Sequence, residues 1–292
     1  MEKIFENSMR TIWRKGSSNT SEKWFEIRQY CMESPPLPSL PEKFPNKGSS
    51  LYWGETHSHT FRVDSSFKFP FWQSFHAQSN DISEIKKETL LKEYIQQSMP
   101  NLDLFPSEAA ERYRHCGDFL TKVLPRDLRE LKELLQDELV HKTFISSGIS
   151  ISTIEKHMSD LEHFLTQSKE LTHGCFRFRN LYFNHLGSLS VVAGDDVVHG
   201  TGILPQAALL SDLFELFASG VSFLEETILY FYEKFTNGYN QEEIDLLDKA
   251  IFLYAVAHGA QFIFTFRVSD LVGYFYPLSV LGSSNLYNAL NC

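Results

Sequence analysis

Residues 178–210 read FRNLYFNHLGSLSVVAGDDVVHGTGILPQAALL, and the folding of this stretch decides the class of the whole chain. Its first part belongs to a long apolar and aromatic run, Phe176 to Val192. On helical spacing Phe178, Leu181, Tyr182, Leu189 and Val192 share a face with His185. A histidine on such a face is either a core residue bonded to a carbonyl or a haem ligand. The second role is open because an apolar wall accepts a porphyrin while Nε2 supplies the fifth ligand. The run GDDVVHGTG then breaks the helix. Gly200-Thr201-Gly202 forms a turn able to fold over a flat ligand, offering backbone N–H groups and the Thr201 hydroxyl.

Working outward, the spacing of apolar residues predicts further helices over Ser83–Ser98, Asp127–Leu139, Pro205–Phe217, Phe223–Phe235 and Glu242–Phe266. Another starts at Ser107 and stops at Pro125, and a capping box of Ser152 and Glu155 opens one that runs to Leu171. The apolar stretch Ala250–Phe266 carries His258 and Gln261 and is shorter than the roughly 20 residues of a membrane helix, so it reads as a buried helix. Towards the N-terminus, five prolines in PPLPSLPEKFPNKG exclude regular helix. The expected organisation is a helical arm over 1–34, a Pro-rich linker over 35–48 and a helical catalytic domain over 49–292. Residues 49–75 read as irregular structure or short helices, and the last residues as a lid. All-α is the expected class.

Composition narrows the function. The 27 Lys and Arg stand against 37 Asp and Glu, a net charge of -10, which opposes attraction to nucleic acid or to an anionic membrane. The 25 Phe and 12 Tyr exceed what a helical core needs and suit a flat apolar cavity. Cys31, Cys116, Cys175 and Cys292 form no CxxC pair, as expected of free thiols in a reducing compartment. The opening MEKIFENSMRTIWRKG has no apolar core of a secretory signal, so a cytoplasmic location is expected.

A histidine-bearing helix followed after 15 residues (200 − 185) by Gly-Thr-Gly resembles the tryptophan and indoleamine dioxygenases, a superfamily of haem-dependent aromatic oxygenases. The resemblance rests on residues 178–210, and Ile203-Leu204-Pro205 departs from the further Gly and Ser of the family. It implies an all-α helical bundle of the tryptophan dioxygenase type enclosing a b-type haem. His185 then takes the place of the proximal iron ligand, and Gly200, Thr201 and Gly202 that of the loop covering the substrate. His76, among the aromatics of FPFWQSFHAQ, lies 109 residues earlier (185 − 76) and resembles the distal histidine of the tyrosine-hydroxylating branch, which moves a proton to and from peroxide. The 90 residues after Gly202 (292 − 202) are also similar to that branch. Position 189, where some relatives attach haem through cysteine, is Leu189, implying non-covalent haem b. Arg177 and Arg179 are expected near the haem propionates, and Arg114 or Arg112 near a substrate carboxylate.

The implied activity is hydroxylation of an aromatic amino acid, L-tyrosine to 3,4-dihydroxyphenylalanine, with hydrogen peroxide or with dioxygen and a reductant, in natural-product biosynthesis. A homodimer is compatible with it. The alternatives are a tryptophan or indole oxygenase on the same scaffold, a haem-binding protein without catalysis, and a di-iron helical oxygenase. For the last, Glu111 with His115 and Glu138 with His141 are the nearest ligands, short of two full sets. His57 and His59 form an HxH pair without further ligands, and His157 and His163 read as solvated residues of an amphipathic helix.

Overall fold

In the computed structural model the described residues are the N-terminal strands, residues 75 and 79, and residues 82–98, 123–168, 171–178, 181–184, 189–191, 197–268 and 272–292. The N-terminal region is a sheet. Strands β1 (Glu2–Glu6), β2 (Arg10–Lys15), β3 (Trp24–Tyr30), β4 (Leu51–Thr56) and β5 (His59–Asp64) pair antiparallel in the order β1-β2-β3-β5-β4. The register runs from Arg10↔Tyr30 to Lys15↔Phe25 between β2 and β3, and from Trp24↔Asp64 to Gln29↔His59 between β3 and β5. The expected helical arm is thus corrected to strands, and β3, before the Pro-rich segment, pairs with β5, after it. Residues 35–48 themselves lie outside the described residues.

The reason is local. Phe25 and Ile27 alternate with Glu26 and Arg28, and Trp, Tyr, Thr and Val supply the bulky side chains that suit a pleated surface. Each strand of this sheet spans five to seven residues, too few to stand out in a window as wide as a helix needs.

Two small sheets correct the reading of the central stretch. β6 (Phe67–Pro70) pairs with β8 (Leu181–Asn184), which pairs in turn with β9 (Leu189–Val191). β7 (Leu171–His173) pairs with β10 (Val197–His199). In place of the helix expected over Phe176–Val192, residues 181–184 and 189–191 are antiparallel paired strands. Leu181-Tyr182-Phe183 is a run of strand formers. The all-α class is therefore corrected to a mixed fold: strands first, then a mainly helical part with two short sheets within it.

The helices are α1 (Glu84–Ser98), α2 (Arg126–Leu134), α3 (Glu138–Ser146), α4 (Ile151–Leu165), α5 (Ile203–Ala218), α6 (Glu225–Thr236), α7 (Gln241–Phe266), α8 (Val272–Ser283) and α9 (Leu286–Leu290). The helix expected over 127–139 stops at Leu134. Asp137 then caps α3, accepting from Leu139 N and Val140 N. The expected lid at the C-terminus is instead the helices α8 and α9. Helix α7 is the axis, packing against α5, α2, α4, α8 and α3. Asn240 and Glu243 start it with a reciprocal capping box, at 3.0 and 2.9 Å. By length and composition α7 alone among the described helices is long and apolar enough to cross a membrane, yet 61% of its most apolar window is buried within the fold.

A close approach of two elements fixes a glycine. A Cβ at Gly259 of α7 would lie 2.7 Å from Phe275 Cε1 and 2.9 Å from Cζ. Phe275 is fully buried, edge-on to Phe144 and Tyr274. Gly259→Ala is expected to lower stability by about 1–2 kcal/mol, because overpacking outweighs alanine's better helix propensity. A urea titration measures it, and an unchanged or higher midpoint would show that Phe275 yields.

Candidate functional site

The loop joining β7 to β8 is held from below by buried charge. After β7 the chain runs through His173, Gly174, Cys175, Phe176, Arg177 and Phe178, and Thr172 to Phe178 are all buried. His173 Nδ1 accepts the Cys175 amide at 3.0 Å, which fixes the tautomer with its proton on Nε2, and its ring meets Phe176 edge-on. The Tyr254 hydroxyl, from α7, donates to the Gly174 carbonyl. Asp212, from α5, accepts the Phe178 amide at 2.5 Å. Helices α5 and α7 thus each fasten one side of the turn.

Arg177 is the centre of the arrangement. Its Nε donates to Asp212 Oδ1 at 2.5 Å and Nη2 to Glu215 Oε1 at 2.6 Å. Nη1 lies 3.4 Å from the Tyr254 carbonyl and 3.8 Å from Asp127 Oδ2. Burial alone would disfavour the guanidinium charge, but Asp212, Glu215 and Asp127 outweigh it and hold Arg177 firmly charged. Three carboxylates meet this cation, and Asp127 also lies 3.7 Å from Arg126 Nη2. Burial pushes the Asp212 carboxyl above its ordinary range despite Arg177. Burial also opposes ionisation of Glu215, but Arg177 and His258 together keep its carboxyl below the ordinary range.

Glu215 links the interior to solvent. Its Oε2 accepts from His258 Nδ1, and the His258 side chain is 49% exposed. Tyr274 also bonds Glu215, and its hydroxyl, desolvated by burial and faced by that carboxylate, is held well above the usual range. Cys175 is fully buried and its Sγ lies 3.5 Å from Asp127 Oδ2, donating to it. Full burial keeps solution reagents from this sulfur.

No family model matches this chain, and no curated protein matches it. Among solved structures it is similar to the aminoglycoside phosphotransferase APH(2'')-Ib with ADP bound, at 11% identity over 84% of this chain and 95% of that one, with a TM-score of 0.26.

The resemblance to haem oxygenases is overturned, and with it the haem b cofactor, the aromatic amino acid with peroxide or dioxygen as partners, and the oxidoreductase assignment. The stretch meant to form one helix around His185 holds instead the paired strands β8 and β9. Arg177, assigned to a propionate, is engaged on all sides by carboxylates. Among the described residues no group of three His, Cys, Asp or Glu side chains is placed to hold a metal. His185, His76, Arg179 and Arg114 lie outside the described residues.

Gly200, Thr201 and Gly202 are described, and they join β10 to α5. A Cβ at Gly200 would come within 2.8 Å of Leu204 Cδ1 and 3.0 Å of Thr172 Cγ2, so glycine here permits close packing. Thr201 Oγ1 accepts the Ile203 amide at 3.3 Å and Gly202 is the residue before α5. Sequence reasoning missed Asp127, Asp212, Glu215, Tyr254 and His258 because they converge from three helices far apart in the chain. The one local signal was the spacing of His173, Cys175 and Asn180.

Proposed function

We propose that this chain is a kinase-like scaffold that binds without transferring phosphoryl groups. What carries the reading is the loop between β7 and β8. Its His173-Gly174-Cys175, followed after four residues by Asn180, has the spacing of the kinase catalytic loop H-R-D-x-x-x-x-N. In that loop the aspartate accepts the proton of the attacking hydroxyl. Here the position belongs to Cys175, a buried thiol that itself donates to Asp127 and has no basic lone pair to offer a substrate.

The rest of the sequence agrees. It contains no G-x-G-x-x-G stretch to cover phosphates and no Asp-Phe-Gly triplet to hold magnesium. The loop backbone is nonetheless kept in shape by Asp212, Arg177 and Tyr254, so a surface built on it persists after the chemistry is lost.

An ADP-formation assay with ATP and magnesium tests this. The wild-type protein and Cys175→Ala are both expected to stay at background. Turnover by the wild type that Cys175→Ala abolishes would overturn the reading. In parallel, iodoacetamide followed by peptide mapping is expected to modify exposed Cys292 well before Cys175; rapid labelling of Cys175 in the folded protein would contradict its buried placement.

A further inference from the structure

A cleft of about 530 Å³ opens between α4, α6, α7 and the α8–α9 turn, and none of its lining residues belongs to the β7–β8 loop or its carboxylates. At its wall stands Asp248, 5% exposed. Oδ2 accepts from the Tyr232 hydroxyl at 3.1 Å and Oδ1 from the Leu286 amide at 3.3 Å, both neutral donors. Among the described residues no cation pairs with it. Lys249, its neighbour in sequence and also on the wall, is turned to Asp160 of α4 at 2.7 Å.

Acceptors also face the space, while Gln241 Nε2 donates to Asp245 Oδ1 at 2.7 Å and the Thr236, Ser283 and Ser284 hydroxyls donate to backbone carbonyls. Asp245 lies three residues before Asp248, on the same face of α7. Leu281, Gly282 and Ser283 bring the C-terminal, carbonyl-bearing end of α8 to the rim. His157 gives its Nε2 proton to the Gly282 carbonyl at 3.0 Å, leaving a buried Nδ1 with no partner. Burial holds His157 below its ordinary pKa, so that nitrogen is a free acceptor. Tyr232 and Tyr287 meet edge-on at 5.3 Å and supply aromatic surface. With Lys249 neutralised by Asp160, the charge left in the cleft is that of two carboxylates.

We propose that this cleft binds a small organic ammonium ion, whose N–H groups bond Asp248 and Asp245 and whose carbon skeleton lies against Tyr232 and Tyr287. A hydrated metal ion would leave most of the volume unfilled, and an anion would face two carboxylates. Rings beside the charge favour a cation with apolar surface. The site is independent of the kinase-like reading. It also corrects His157 from a solvated residue to a half-buried wall of a cleft.

Isothermal titration with butane-1,4-diamine, and with butane-1,4-diol as the uncharged control, tests the site at constant ionic strength. The diamine is expected to bind at pH 7.5 and the diol not to. Affinity is expected to fall about tenfold by pH 5, where Asp248, held up to about 6 by burial, takes a proton. Asp248→Asn keeps an acceptor for Leu286 and is expected to lose tenfold or more, and Asp245→Asn to lose affinity with the fold intact. The proposal is overturned by equal binding of diamine and diol, by unchanged affinity in both variants, by displacement with matched KCl, or by no heat from wild type at about 10 mM diamine.

Discussion

Arg177→Met is expected to destabilise the protein by about 3–5 kcal/mol at pH 8, because removing one partner of a buried ion pair strands its counter-charges. Methionine keeps much of the volume, so the loss reports charge more than packing. Asp127, Asp212 and Glu215 are 1%, 9% and 6% exposed; without Arg177, Asp127 would keep only Arg126, at 3.7 Å, Glu215 only His258, and Asp212 no cation among the described residues. Without Arg177 their folded carboxyls rise above the unfolded values, so the stability they permit is complete below about pH 4 and is lost as pH rises through the folded values. The deficit should therefore widen from pH 5 to pH 8. Urea titrations at both values measure it; a deficit under about 1 kcal/mol, equal at the two, would mean that the carboxylates do not depend on Arg177.

Asp248→Asn is expected to act in the opposite direction. Burial lifts the Asp248 carboxyl from 3.8 to about 6, so its ionisation works against the fold. A raised folded value means that the contribution is full below about pH 4 and is lost as pH climbs through 6. Removing the ionisable group should then stabilise the protein by about 2–3 kcal/mol at pH 8 and by almost nothing at pH 4. Thermal unfolding of the two proteins across that range checks it. A variant less stable at every pH would assign Asp248 a purely structural role. A residue that weakens the fold while lining a cleft is what a binding group looks like.

Much of the helical part is legible in the sequence. The segments expected over Ser83–Ser98, Pro205–Phe217, Phe223–Phe235 and Glu242–Phe266 fall within two residues of α1, α5, α6 and α7 at each end. Their apolar residues recur at helical spacing over ten or more residues, enough for a periodic signal to accumulate. The strands were less legible for the converse reason. Phe183 and His185 belong to a stretch that satisfies a helical face on paper, but strand pairing with β6 and β9 depends on residues more than a hundred positions away in the first case. Local pattern carries no term for that partner.

The site divides in the same way. His173, Cys175 and Asn180 lie close in sequence, and their spacing is visible there, with sulfur where a base would stand. Asp127, Asp212, Glu215 and His258 have no such signature. None carries a local pattern that marks a site, and only the packing of α2 and α5 about the Arg177 guanidinium, with His258 of α7 on Glu215, brings them together.

By itself the sequence determined the long helices, the absence of glycine-rich phosphate motifs and the cysteine in the loop, since these depend on residue type and local spacing. Tertiary structure decided that residues 181–184 and 189–191 pair as strands, that Arg177 serves three carboxylates, and that Asp248 is buried without a cation among the described residues. Those outcomes turn on strand pairing, burial and long-range charge, and none of these is a property of neighbouring residues.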